Sequence, residues 1–117
     1  MSPIRKTAKE HAVRQEGPVE VEPVPITKGD TVSVRYDGIL SQHGADQVFL
    51  HVGFGPTNYW TNVRDIPMQK KGKMWEAQVP EVFHNRLNFC FKDSAGHWDN
   101  NQGKNWTFTV HDGGTVT

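Results

Sequence analysis

Six short runs of the chain alternate apolar and polar residues with a period of two, and no run keeps a helical period long enough to build a buried helical face. Thr31–Asp37 puts Val32, Val34 and Tyr36 on one side; Gln47–Gly53 puts Val48, Leu50 and Val52 opposite Phe49 and His51. Met74–Val79 follows a Lys71-Gly72 turn. Leu87–Asp93 sets Leu87, Phe89 and Phe91 against Asn88, Cys90 and Lys92, and Asn105–His111 aligns Trp106, Phe108 and Val110. Asn62–Gln69 is a weaker sixth run. Asp37-Gly38, Gly55-Pro56 and Gly96 mark further turns between them. A strand of this pattern has one face to bury and one to wet, so several of them joined by short turns predict two antiparallel sheets packed face to face. The expectation is all-β: an antiparallel sandwich of about six to eight strands.

The N-terminal part lacks that pattern. Residues 1–16 carry four basic and two acidic side chains and few large apolar ones, too little apolar surface to offset the entropy of ordering them. The following stretch, GPVEVEPVPITKGD, alternates Val with Glu between prolines and reads as an extended linker or an edge strand. Residues 1–25 are therefore expected to form a flexible tail and Pro-rich linker, 26–112 the sandwich and 113–117 a C-terminal tail.

Charge limits the partners. Thirteen basic side chains balance 13 acidic ones in 117 residues, whereas proteins that hold nucleic acid through its phosphates show a basic excess or stripe. One cysteine, Cys90, permits no internal disulfide. Six histidines show no close metal-ligand spacing, and no Gly-rich phosphate loop is present, so neither metal nor cofactor is expected. No apolar run resembles a signal peptide or could span a bilayer. A cytoplasmic location without membrane contact is expected, unless the chain is an excised module of a secreted enzyme.

The stretch Leu87–Asn101, LNFCFKDSAGHWDNN, begins as a strand and turns through Asp93–Gly96. It then presents Trp98 among Asp99, Asn100 and Asn101. A large ring on a loop of amides and carboxylates adds little to a core but suits a ligand with flat apolar patches edged by hydroxyls. A pyranose has that form. Its C–H face can stack on an aromatic ring while its hydroxyls reach short polar side chains.

Together, VFLHVGFG, YW, MQKKGKMWEAQV and LNFCFKDSAGHWDNNQGKNW resemble a starch-binding carbohydrate-binding module of family 25, with the related family 53 modules of starch synthases close behind. The resemblance covers about Thr31–Val110. It implies an immunoglobulin-like β-sandwich that binds α-1,4-linked glucans such as starch, glycogen and maltooligosaccharides without catalysis. It implies further that His51, Trp60 and Trp98 form an aromatic platform, with Lys92, Asp99, Asn100 and Asn101 taking sugar hydroxyls. A separate glucan-active enzyme is a second partner it suggests.

Each of these residues also has a plain structural reading. Trp98 and Trp60 can be core lids, His51 an ordinary exposed strand residue, Asn100 and Asn101 turn formers, and Lys92 a solvated side chain. Trp75 and Trp106 lie in alternating strands and are assigned to packing. Asp93 and Asp99 are a formal acid–base pair for glycoside cleavage, but both sit where Asp commonly caps turn amides. Single-stranded nucleic-acid binding on an aromatic platform and a protein-interaction sandwich with Trp60 and Trp98 as hot spots are the alternative functions.

Overall fold

A computed structural model describes residues 12–112. Its strands are β1 (Ala12–Glu16), β2 (Val19–Val24), β3 (Ile26–Thr27), β4 (Val32–Tyr36), β5 (Val48–Phe54), β6 (Thr61–Pro67), β7 (Gln69–Lys71), β8 (Met74–Val79), β9 (Arg86–Asp93), β10 (Trp98–Asp99) and β11 (Trp106–His111). A single helical turn, α1 (Ile39–Gln42), interrupts them between β4 and β5. One sheet runs β1-β2-β4-β8-β7 and the other β3-β11-β9-β5-β6, with β10 also paired to β9. All pairings are antiparallel except that of β3 with β11.

The alternation decides which sides meet. Val19, Val21, Val32, Val34, Tyr36, Ala77 and Val79 of the first sheet are buried against Val48, Leu50, Val52, Leu87, Phe89 and Phe91 of the second. Trp106 and Trp75 join this core at 4% and 5% exposure, as their phase in the strands predicts. Trp106 packs on Phe91 with ring centroids 5.3 Å apart at 67°, an edge-to-face contact. The chain crosses between sheets at buried Met68, so the single strand expected over 62–69 is two: β6 in one sheet and β7 in the other.

The expected linker is partly sheet. Residues 12–16 and 19–24 form a hairpin, and β2 lies between β1 and β4. Val19 and Val21 are fully buried, while Glu20 and Glu22 face outward and bond to Arg35 at 3.0 and 2.9 Å. The Val-Glu alternation was thus a strand period. Pro23 is tolerated because the β2–β4 ladder ends at Glu22 and the β1–β2 register shifts opposite it. The sandwich therefore begins before Ile26. The remaining tail residues, 1–11 and 113–117, lie outside the described residues.

Candidate functional site

Residues nominated from the sequence gather on the outer face of the second sheet. Its central strands β5 and β9 pair from Val48↔Asp93 to Phe54↔Leu87, so Phe49, His51 and Gly53 share that face with Lys92, Cys90 and Asn88. One row across the sheet reads Phe49, Lys92, Trp98, and the next reads Asp65, His51, Cys90.

His51 is the hinge of the aromatic group. Its ring centroid lies 5.9 Å from that of Trp60, with planes at 35°, and 5.1 Å from that of Trp98, edge-on at 88°. Three rings from three different segments thus form one continuous apolar patch with angled faces. Trp98 is 50% exposed, and His51 and Trp60 are half-buried.

Trp60 is held by its loop. Its indole N–H donates to the Thr57 carbonyl at 2.8 Å, and the ring packs against Gly53. A Cβ at Gly53 would stand 2.8 Å from Trp60 Cβ and Cε3, so only glycine lets the ring approach the sheet this closely. Asn88, almost wholly buried, ties the loop from below: its amide donates to the Gly55 carbonyl at 3.1 Å and accepts from the Thr107 hydroxyl at 2.8 Å.

Trp98 is presented by a tight hairpin. The Asp93 carboxylate accepts from the backbone N–H groups of Ala95 and His97 at 3.0 and 2.8 Å and meets His97 Nδ1 at 3.0 Å. Those bonds, the His97 amide foremost, hold the Asp93 carboxyl below its ordinary range. Strand parity then sends Trp98 outward and Asp99 inward. The Asp99 carboxylate accepts from the hydroxyl of buried Tyr36 at 2.6 Å, and the Tyr36 ring stacks on Phe91 at 4.0 Å. Burial, then the bond to Asp99, pushes the Tyr36 phenol well above its ordinary pKa.

Asn100 and Asn101 shape the loop that follows. Asn100 Oδ1 accepts from the Gly103 amide at 2.9 Å, and the Asn101 amide donates to the Asn105 carbonyl at 3.0 Å. Asn101, Gln102 and Asn105 all have left-handed φ near +55°, a conformation asparagine tolerates better than most residues. Asn100 is exposed; Asn101 and Asp99 are engaged in holding the loop.

Lys92 gives the patch its charge. Nζ lies 2.7 Å from Asp65 Oδ2, 5.3 Å above the Trp98 ring and 6.0 Å from that of Phe49. The other Asp65 oxygen meets His51 Nδ1 at 2.6 Å. Asp65 loses some hydration by burial, yet the bonds and charges of Lys92 and His51 outweigh this and lower its pKa. With Nδ1 engaged by Asp65, Nε2 is the second ring nitrogen of His51 left for a further hydrogen bond. In the same row as His51, burial pushes the Cys90 thiol up to about 12, which holds it in the unreactive protonated form.

The structure therefore brings together His51, Trp60, Trp98 and Lys92. Asp65, Asn88 and Tyr36 support the group and were not singled out from the sequence. A glycine inside the β5 alternation was the one visible sign of a close approach. Asp93 and Asp99, offered as a catalytic pair, are bound up with turn amides and with Tyr36. Among the described residues no cluster of His, Cys, Asp and Glu could hold a metal ion.

Comparison with known proteins bears on this face. Over 94 residues, 78% of this chain, the sequence is 36% identical to an alpha-amylase of Clostridium acetobutylicum, and it spans 12% of that relative's length. No solved structure matches. The family whose model matches is 53, not 25; the matched residues include His51 and Trp60, while Lys92 and Trp98 lie beyond them. From residue 32 to residue 89 the chain carries the sequence pattern of a starch/carbohydrate-binding module of family 53.

Proposed function

We propose that the protein binds α-1,4-linked glucans without cleaving them, through His51, Trp60 and Trp98 as the apolar platform. Lys92, Asn100 and the free nitrogen of His51 supply hydrogen bonds to sugar hydroxyls. Asp99 and Asn101 serve by fixing the loop that carries Trp98. The observation that carries this reading is the angled, half-exposed group of three rings centred on His51. An α-1,4 chain curves, so successive glucose faces can each meet a ring tilted from the last. A flat β-1,4 chain calls for coplanar rings. The match to a starch/carbohydrate-binding module supports the same ligand class.

Each stacked glucose that removes about 100 Å² of apolar surface from water gains roughly 2–3 kcal/mol gross. Ordering of the glucan subtracts from this. A modest affinity for one site follows, raised by avidity on a branched polymer. In that setting a glucan-active enzyme, joined or separate, is the partner that profits from being held on its substrate.

Native gel electrophoresis through amylopectin, glycogen and a soluble β-1,4 glucan tests the assignment. Retardation by the first two alone, unchanged between low and moderate salt, is expected. Equal retardation by the β-glucan would overturn the ligand class, and release of reducing ends from maltoheptaose would overturn the absence of catalysis. A steep loss with salt would point instead to a phosphate-bearing polymer.

A further inference from the structure

Beside the platform, on the side of His51 away from Gly53, lies an open groove of about 430 Å³ lined by Phe49, Asp65, Lys92, Ser94 and Trp98. We propose that this groove is a further glucan subsite, taking one more glucosyl unit of a chain already stacked on Trp60, His51 and Trp98. The inference rests on the proposed glucan binding and extends it to residues outside the three-ring platform.

Phe49 and Trp98 stand on strands separated only by β9, about 10 Å apart by the usual strand spacing, with Lys92 between them in the same row. The groove is thus walled by two aromatic rings and floored by an aliphatic stem, which suits a flat ring with apolar faces. Phe49 is half-buried on the outer face of β5, where a phenylalanine that served the core would be placed inward.

The polar groups choose the ligand further. Lys92 Nζ and Asp65 Oδ2 are 2.7 Å apart, so the floor offers a charged donor beside a charged acceptor and carries no net charge. Asp93, also at this edge, spends its carboxylate on the amides of its own turn. An anion such as phosphate finds its countercharge already taken by Asp65. A neutral vicinal diol can accept from the one group and donate to the other, which is the arrangement on adjacent carbons of glucose. The groove is also continuous with the platform, because Trp98 belongs to both. One chain can therefore run across His51 and into the groove.

Calorimetric titration with maltose, maltotriose, maltotetraose and maltopentaose tests this on the full chain. In the wild type, the unit that enters the groove should raise affinity by about tenfold, less than a fully stacked ring because Phe49 offers only part of its face. Phe49→Ala should leave the affinity for maltose within about twofold and lose that step. Phe49→Tyr should keep it, and Phe49→Leu, which preserves apolar bulk without a flat face, should lose it. Circular dichroism of each variant identifies any that fails to fold, and the Tyr and Leu pair then decides. A wild type that binds maltooligosaccharides with no such step, or a step indifferent to Phe49, refutes the groove and spares the platform. A uniform loss at every length on Phe49→Ala also refutes it, since the residue would then belong to the platform. Failure of the wild type to bind any maltooligosaccharide or glycogen would refute the proposed function itself.

Discussion

Changing the same residue type at two positions separates binding from folding. Trp98 is half-exposed, so of the roughly 200 Å² a tryptophan offers, about 100 Å² is free to cover a sugar. At 25 cal/mol per Å² that area corresponds to about 2.5 kcal/mol, or about 70-fold in affinity. Trp98→Ala should therefore weaken glucan binding by tens of fold. Its named ring contacts, an edge to His51 and the Lys92 cation near its face, are weak and it lies outside the core cluster, so stability should fall by only about 1 kcal/mol, a few degrees in Tm. Trp106 has the opposite setting: it is 4% exposed and packed between Phe89 and Phe91. Trp106→Ala should cost about 3–5 kcal/mol and lower Tm by ten degrees or more, with affinity of the folded fraction unchanged. Differential scanning calorimetry beside affinity electrophoresis in glycogen measures both quantities. If Trp98→Ala melts the domain while the folded fraction still binds, the ring is a core lid and the reasoning fails.

Three further outcomes are expected. Gly53→Ala should push Trp60 off the sheet, weakening glucan binding at least tenfold and costing about 1–3 kcal/mol from overpacking; unchanged affinity would show that the ring can shift freely. Tyr36→Phe keeps the buried ring but deprives Asp99 of its hydroxyl partner, a bond to a charged group worth about 1.5–3 kcal/mol. Hydrogen exchange should rise in residues 99–105, and glucan affinity should fall with it. Asp65 and Glu76 have pKa values lowered in the fold, Asp65 by Lys92 and His51 against its own burial, Glu76 first by Lys71 and then Arg35. Lowered carboxyl values stabilise the fold above the unfolded pKa, near 4, and that contribution is lost as pH falls through the folded values. Urea midpoints should thus drop below about pH 4, and Glu76→Gln should flatten that limb.

The sandwich was legible because strand parity is a local property. Val32, Val34 and Tyr36, or Leu87, Phe89 and Phe91, announce their inward face whatever they pack against, and the same parity placed His51 outward and Trp106 inward. Where parity and composition conflicted, composition misled: Val19 and Val21 alternate with Glu20 and Glu22 as a strand does. The prolines around them suggested a linker, because a proline's tolerance depends on where the ladder ends. Asp99 was misplaced for a similar reason. Its polar neighbours suggested a rim, but the two-residue strand β10 pairs with β9 and turns it toward Tyr36.

The sequence by itself determined the class of fold, the strand faces and the nomination of His51, Trp60, Trp98 and Lys92, since each follows from residue type and local period. Only the tertiary structure decided that these four meet, because they come from segments up to 47 positions apart: pairing of β5, β9 and β10 brings His51, Lys92 and Trp98 into two adjacent rows, and the loop before β6 lays Trp60 against Gly53 beside them. It also decided the angles between the rings, the part of Asp65 in holding His51 and Lys92, and the groove beside Phe49. Those depend on register and on the crossing of side chains from different strands, and a one-residue slip in any pairing would turn the same residues to the other face.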